Sequence, residues 1–195
     1  MTGGATAGGA PGPVGTGAAG GDPGGPVPPQ VLVLMGVSGV GKTTIARALD
    51  DRLRWPFQEG DDLHPRANVD KMASGHALTD EDRAPWLRAV AAWIGARLDA
   101  GEPGVITCSA LRRAYRDTVV AGRTGVRVVY LKAERALVAE RLGQRRNHYM
   151  PAGLLESQLA TLEEPTPDEH VFTVQVHGDV DAVVAEIVAG LRAGA

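Results

Sequence analysis

The architecture of this chain follows from Val31-Leu32-Val33-Leu34-Met35-Gly36-Val37-Ser38-Gly39-Val40-Gly41-Lys42-Thr43. The first five residues are a continuous aliphatic run, which is typical of a strand buried on both faces of a parallel sheet. The next eight fit the pattern G-x-x-x-x-G-K-[ST] at every position. Glycines there let the backbone turn tightly, so that successive N–H groups point at phosphate oxygens. We therefore predict a P-loop between a buried strand and a helix that begins at Lys42.

Each part of this loop has an expected role in holding ATP. Lys42 should reach the β- and γ-phosphates, and the Thr43 hydroxyl should ligate Mg²⁺. The helix that follows adds the positive end of its dipole to the same anion. The chain contains only three lysines, which argues against a chance match in a Gly-rich sequence. The candidate ATP-binding residues of the loop are Gly36, Val37, Ser38, Gly39, Val40, Gly41, Lys42, Thr43 and Thr44.

The composition is that of one globular domain with an added tail. The chain has 195 residues, of which 44% are hydrophobic and 22% charged, enough to bury a core. Residues 1–29 are dominated by Gly, Pro and Ala, so we predict a disordered tail, and residues 30–195 should form one domain.

The bulk properties also exclude several classes of function. A net charge of −3 gives no electrostatic footprint for nucleic acid. No apolar run approaches the roughly 18 residues that span a bilayer, and the N-terminus lacks the pattern of a signal peptide. Cys108 is the single cysteine, which fits a reducing compartment. We predict a cytoplasmic protein that binds neither membrane nor nucleic acid.

Strand and helix signals alternate after the P-loop. Alternation of this kind predicts right-handed βαβ units and a doubly wound α/β sheet. Thr79 is a candidate N-cap, with Asp82 completing a capping box. Strands are predicted at 31–35, 104–108, 126–131 and 171–176, with a short one near 56–58, and helices at 42–53, 80–100, 110–121, 134–144, 151–161 and 179–191.

A P-loop alone leaves GTPase, ATPase, kinase and nucleic-acid motor open. A small GTPase should carry Asn-Lys-x-Asp, which is absent, and the only Asp-x-x-Gly is Asp22 to Gly25 in the tail. A motor would usually need a larger and more basic body. We therefore interpret residues 30–195 as a P-loop kinase domain for a small molecule.

A second loop, Gly60-Asp61-Asp62-Leu63-His64-Pro65, follows the short predicted strand. Loops at the carboxyl ends of neighbouring strands face the same crevice in open α/β sheets. A carboxylate there can hold a Mg²⁺-bound water or accept the proton of an acceptor hydroxyl, and Asp61 is our candidate for both. The alternative is that Asp61 and Asp62 only cap the helix that begins at Pro65.

Several blocks together make the sequence similar to the gluconokinase family between about residues 31 and 191. The resemblance implies a P-loop kinase fold related to nucleoside monophosphate kinases and shikimate kinase, with a five-stranded parallel sheet of order 2-3-1-4-5, helices on both faces and a mobile lid. It implies transfer of phosphate from ATP to D-gluconate, giving 6-phosphogluconate, and it leaves a homodimer open. The blocks are 60–65, Asn68, 71–75, 78–87, 108–111, 115–117, Arg145, His148, 157–158 and 162–165.

The resemblance also implies which side chains surround the acceptor and the triphosphate. A gluconate carboxylate needs cations and its hydroxyls need polar partners, for which the candidates are Asp61, His64, Lys71, Arg83, Ser109 and His148. Arg83 could instead form a surface pair with Asp80. Arg141 and Arg145 lie where the lid should begin and could neutralise charge on the transferring group; Lys42, Asp61 and Arg145 are the predicted catalytic residues. The alternative for the arginines is that they offset a helix dipole.

Two other functions stay open on the residues alone. One is another small-acceptor kinase of this fold, such as one for shikimate or a nucleotide. The other is an ATP-binding switch that keeps the P-loop without turnover. An acceptor loop and a lid both argue against a switch, which needs neither.

Overall fold

A five-stranded parallel sheet forms the centre of the protein. The strands are β1 (Val31–Met35), β2 (Phe57–Gln58), β3 (Gly104–Thr107), β4 (Val126–Lys132) and β5 (Phe172–Gln175). They lie in the order β2-β3-β1-β4-β5, and every neighbouring pair is parallel. The predicted α/β class and strand order 2-3-1-4-5 are therefore confirmed. This computed structural model describes Met1, residues 30–144 and residues 152–194.

Seven helices are present in the described ranges. None of them is both long and apolar enough to cross a membrane. The helices are α1 (Lys42–Leu53), α2 (Arg66–Ala73), α3 (Asp80–Asp99), α4 (Arg113–Val120), α5 (Arg135–Gln144), α6 (Ala152–Thr161) and α7 (Val180–Ala193).

The two faces of the sheet carry separate hydrophobic clusters. Side chains alternate between the faces of a strand, so Leu32 and Leu34 join the cluster that includes residues of α1 and α7. Val31, Val33 and Met35 join the other, with residues of α3 and α4. All five residues of β1 are at most 1% exposed, which explains why this strand reads as an unbroken aliphatic run.

Local signals set the helix boundaries, which differ most from the predicted ones at the start of α4. The capping box of α3 is confirmed: Asp82 N donates to Thr79 Oγ1 at 3.3 Å and Thr79 N donates to Asp82 Oδ2 at 2.8 Å. Helix α4 begins at Arg113 and not near residue 110. Ala110 has φ of +36°, which is incompatible with right-handed helix, so the chain turns there before α4 begins.

Strands β2, β3 and β1 are neighbours, so the three loops at their carboxyl ends meet at one edge of the sheet. The loop after β1 is the P-loop, and β2 leads through Glu59 into one turn of 3-10 helix, Gly60–Leu63. Ser109 follows β3. This edge is the crevice in which open α/β sheets bind ligands.

Candidate functional site

The P-loop encloses the ammonium group of Lys42. Gly39 and Gly41 have φ of 86° and 110°, the left-handed region that side chains with a Cβ rarely adopt. Lys42 Nζ donates to the carbonyl oxygens of Gly36 at 2.9 Å and Val37 at 3.1 Å. The charge that should meet the transferring phosphate is thus held against the loop backbone at the start of α1.

Glu59 contacts the P-loop through its carboxylate. It was not among the site residues predicted from the sequence. Thr43 Oγ1 donates to Glu59 Oε2 at 2.7 Å, and the Thr107 hydroxyl donates to Oε1. Gly60 N donates to Thr107 Oγ1 at 3.0 Å. Glu59 therefore joins the ends of β2 and β3 to the P-loop helix. The available signal was its position directly after the short strand β2, at the carboxyl edge of the sheet.

Close packing at Gly60 fixes the loop that carries Asp61. A Cβ at Gly60 would lie 1.8 Å from the carbonyl oxygen of Thr107, so only glycine fits without moving β3. Trp86 Nε1 donates to the carbonyl oxygen of Gly60 at 2.7 Å. Trp86 is 1% exposed, which makes it a core residue with one polar contact to the site.

Asp61 is exposed at the first turn of the acceptor loop. Its carbonyl oxygen accepts from His64 N at 3.2 Å. Pro65 is the N-cap of α2, and among the described residues no side chain caps that helix. The geometry therefore does not support the alternative that Asp61 or Asp62 is present to cap α2.

His64 is held as a neutral ring at neutral pH. Burial lowers the pKa of His64 below its ordinary value, with Asp61 opposing and Arg83 adding to the shift. Its ring stacks on Trp86 at 4.3 Å between centroids. Asn68 Nδ2 lies 3.3 Å from His64 Nδ1 and can only donate, so Nε2 carries the proton. His64 is therefore suited to donate to a hydroxyl or carboxylate oxygen, not to supply a charge.

Lys71 and Arg83, two of the predicted substrate-binding residues, carry positive charge but have different partners. Lys71 forms an ion pair with Asp82, the capping-box carboxylate of α3. Arg83 lies with its guanidinium carbon 5.9 Å from the centre of the Tyr115 ring. Asp80, the alternative partner of Arg83, instead accepts from Arg112 at 2.6 Å and from the Tyr115 hydroxyl. The described contacts favour Arg83 over Lys71 as the cation that faces a ligand.

Cys108 directly follows β3 and is buried. Burial raises the pKa of Cys108 to about 12, a net value to which Asp61 contributes and which a backbone hydrogen bond with Ala110 and the charges of Lys42 and Arg83 oppose. Ser109, the next residue, is half-buried. The thiol stays protonated at neutral pH and is not a nucleophile.

A cavity of about 350 Å³ adjoins the P-loop on the side away from the acceptor loop. Arg141 lies in its wall and donates to the carbonyl oxygen of Val40 at 2.8 Å. The loop 176–179 between β5 and α7 forms another wall, and its sequence contains no motif that predicts a site. Arg145 and His148 lie outside the described residues, as does the tail at 2–29.

Comparison with known proteins finds relatives that match most of the chain. A family model described as an AAA domain matches residues 31–165. A gluconokinase of Gluconobacter oxydans is 48% identical over 165 residues, covering 85% of this chain and 93% of that protein. The thermoresistant gluconokinase of Escherichia coli is 38% identical over 166 residues, covering 85% and 95%. The chain belongs to the gluconokinase family.

A solved gluconokinase structure supports the family at the level of the fold. The crystal structure of a gluconokinase from Sinorhizobium meliloti aligns with a TM-score of 0.77 at 40% identity, covering 87% of this chain and 94% of that one. The resemblance to gluconokinases stated from the acceptor-loop and lid motifs is confirmed. Membership of this P-loop family also implies that the chain binds ATP.

Proposed function

We propose that the protein transfers the γ-phosphoryl group of ATP to D-gluconate, releasing ADP and 6-phosphogluconate. The observation that carries the proposal is that the P-loop and the acceptor loop lie at the same edge of the sheet and are joined there by the hydrogen bond from Thr43 to Glu59. Lys42 supplies a phosphate-binding cation and Asp61 a carboxylate at this edge, and Arg83, near the start of α3, is the candidate cation for the acceptor. Family membership narrows the acceptor to gluconate.

Phosphoryl transfer requires positioning and charge stabilisation more than covalent chemistry from the protein. Lys42 stabilises negative charge on the phosphoryl oxygens as the group departs, and the P-loop N–H groups hold the phosphates. Arg141, next to the same loop, adds a second cation. Arg145 remains our candidate for a lid arginine that approaches the transferring group.

Thr43 and Glu59 fit a Mg²⁺ ion. Their hydroxyl and carboxylate oxygens lie 2.7 Å apart, and both are hard oxygen ligands of the kind Mg²⁺ prefers. Mg²⁺ is usually bound through one or two carboxylates together with substrate phosphates. Bound there, the ion would neutralise charge on the phosphates. From the sequence, Thr43 and Asp61 were the predicted Mg²⁺ ligands. The contact between Thr43 and Glu59 favours Glu59 over Asp61 as the carboxylate ligand.

Asp61 is then available for the acceptor. Its side chain is exposed, on a loop held by Gly60 and Trp86. A carboxylate in this position can accept the proton of the attacking hydroxyl. Arg83 is the candidate partner for the gluconate carboxylate, and His64, Ser109 and His148 for other oxygens. Lys71 keeps two further N–H donors for a substrate oxygen, but Asp82 offsets its charge.

The cavity beside the P-loop is suited to the nucleoside part of ATP. Val176, Val180 and Val183 give it apolar walls, and Arg141 and Asp179 lie in the same lining. A mostly apolar pocket with a few polar groups is typical of a small-molecule site. The ATP triphosphate would then run from this cavity along the loop toward Lys42.

ADP release with a panel of acceptors tests the proposal. We expect release to depend on both D-gluconate and Mg²⁺, with little turnover on other sugar acids, sugars, shikimate or nucleotides. Preference for shikimate or a nucleotide would favour the second candidate, another small-acceptor kinase. Equal release with and without every acceptor would contradict any kinase assignment.

The proposal also bears on the location and the assembly of the protein. ATP-dependent phosphorylation of a soluble sugar acid fits the cytoplasm. Sedimentation of the purified protein would distinguish a monomer from a homodimer.

A further inference from the structure

Gln158 of α6 makes two hydrogen bonds to Ser38 of the P-loop. Ser38 N donates to Gln158 Oε1 at 2.6 Å, and Gln158 Nε2 donates to Ser38 Oγ at 3.0 Å. A backbone N–H can only donate, so the amide oxygen must face it, and the amide nitrogen then faces the hydroxyl. Gln158, 120 positions from Ser38 in the sequence, thus binds both the backbone N–H and the hydroxyl of Ser38.

The same peptide unit is bound from its other side by Lys42. The Val37–Ser38 peptide is planar, with its C=O and N–H pointing in opposite directions. Its carbonyl oxygen accepts from Lys42 Nζ at 3.1 Å, while its N–H donates to Gln158. Rotating this peptide would break both bonds at once. Hydrogen bonds at the two ends of one peptide also strengthen each other by polarisation.

We propose that Gln158 is a positioning residue for phosphoryl transfer. It fixes the orientation of the Val37–Ser38 peptide, and through the Val37 carbonyl it fixes the ammonium of Lys42. The inference deepens the proposed function and rests on it, because Lys42 is the cation assigned to the transferring phosphoryl group. Gln158 itself need not touch substrate.

A positioning role predicts a particular kinetic result. Without Gln158 the Val37–Ser38 peptide can rotate, and Lys42 then samples positions that stabilise the transition state less well. We expect Gln158→Ala to lower kcat by about tenfold to thirtyfold, as loss of two hydrogen bonds would suggest. KM for gluconate should change by less than about threefold, because the described hydrogen bonds of Gln158 are to the P-loop and not to the acceptor loop.

Hydrogen exchange of the Ser38 amide, measured by NMR on the full-length protein, reads the contact without using activity. The Ser38 N–H is bonded to Gln158, so its exchange should accelerate at least about tenfold in Gln158→Ala. Amides of β1 should not change. The measurement is made beside the ADP-release assay, so a protein inactive with gluconate contradicts the proposed function while exchange still reports on Gln158.

Glu156→Ala is the matched control on the same helix. Glu156 pairs with Arg135 at the surface, so its loss weakens the attachment of α6 to α5 without affecting Ser38. We expect wild-type kcat and wild-type Ser38 exchange. Equal losses of kcat in Glu156→Ala and Gln158→Ala would mean that α6 acts only as a structural support and would overturn the inference.

Ser38→Ala provides a second route if Gln158→Ala folds poorly. It removes the hydroxyl bond and leaves the bond from the residue 38 N–H to Gln158 Oε1 in place. We expect a smaller loss of kcat, about threefold, and a smaller effect of Gln158→Ala in the Ser38→Ala background. Strict additivity of the two substitutions, or an unchanged Ser38 amide in Gln158→Ala, would also overturn the proposal.

Discussion

Replacing Glu169 by glutamine should reveal how strongly one buried ion pair supports the acceptor side of the site. Arg116 and Glu169 have side chains that are 3% and 5% exposed, and they form two hydrogen bonds of 2.6 and 2.9 Å. The same guanidinium donates to the carbonyl oxygen of Glu163 at 3.0 Å and to that of Leu111 at 3.3 Å. It therefore ties the segment after α6 to the segment that leads from β3 into α4.

The size of the stability loss follows from the pKa shift of the Glu169 carboxyl group. Bonding to Arg116 lowers the pKa of Glu169 from its ordinary 4.5 to about 2. At about 1.36 kcal/mol per pH unit, this corresponds to an upper value of about 3 kcal/mol. A neutral amide at this position would also leave the Arg116 charge buried without a counterion, so we expect Glu169→Gln to lower the free energy of unfolding by about 2 to 3 kcal/mol at pH 7.

The sign of the pH dependence is fixed by the direction of the shift. The folded protein holds Glu169 ionised more readily than the unfolded chain, so the contribution is present above about pH 4.5 and is lost as pH falls through about 2. Urea unfolding of wild type and variant should therefore differ most at pH 7. The difference should shrink to roughly half by about pH 3.

Asp168→Asn is the matched control for this prediction. Asp168 is the neighbouring residue and pairs with Arg113 at 2.6 Å, but the side chains of Arg113 and Asp168 are 47% and 61% exposed. Solvent screens such a pair, so its loss should cost much less than that of Glu169. Equal losses for the two variants, or a loss for Glu169→Gln that is the same at pH 3 and pH 7, would refute the reasoning.

Four further changes test the site and the domain boundary. Glu59→Gln should raise the Mg²⁺ concentration needed for half-maximal turnover and lower kcat by about tenfold, because a neutral amide holds the ion less tightly; an unchanged Mg²⁺ requirement would place the ion elsewhere. Lys42→Ala should lower kcat at least about a hundredfold in a protein that still folds, since its charge gains value as the phosphoryl group departs; wild-type turnover would show that the loop does not act in catalysis. Asp61→Asn should lower kcat by about a hundredfold or more and leave ATP affinity intact, while Asp62→Asn should not change kcat; the reverse result would move the base by one residue. Deleting residues 1–29 should leave Tm and kcat nearly unchanged, because the sequence predicts no core residue there; a large loss of either would contradict that boundary.

Much of the fold could be predicted because its signals are local. Parallel strands buried on both faces read as aliphatic runs, as Val31–Met35 does. The P-loop glycines mark where β1 ends and α1 begins. Strand β2 is only two residues long and half-buried, too short for any periodicity, so the sequence indicated it weakly.

Several site contacts were not predictable because they join distant parts of the chain. Glu59 meets Thr43 across 16 positions and Thr107 across 48, and nothing in its own neighbourhood distinguishes it from other carboxylates. Lys71 looked like a substrate cation from its motif, but α2 brings it to Asp82. Residue type indicated the chemistry of this site, whereas the pairing of charges depended on how the helices pack.

Identification of the phosphorylated product from γ-labelled ATP is the most informative measurement on the protein as a whole. The purified chain would be incubated with Mg²⁺, labelled ATP and equal concentrations of D-gluconate, shikimate and a nucleoside monophosphate, and the labelled compounds separated by mass. We expect the label in 6-phosphogluconate, in amounts equal to the ADP formed. Label found mainly in inorganic phosphate, or on shikimate or the nucleotide, would contradict the assignment of Asp61, Arg83 and Lys42 to gluconate phosphorylation.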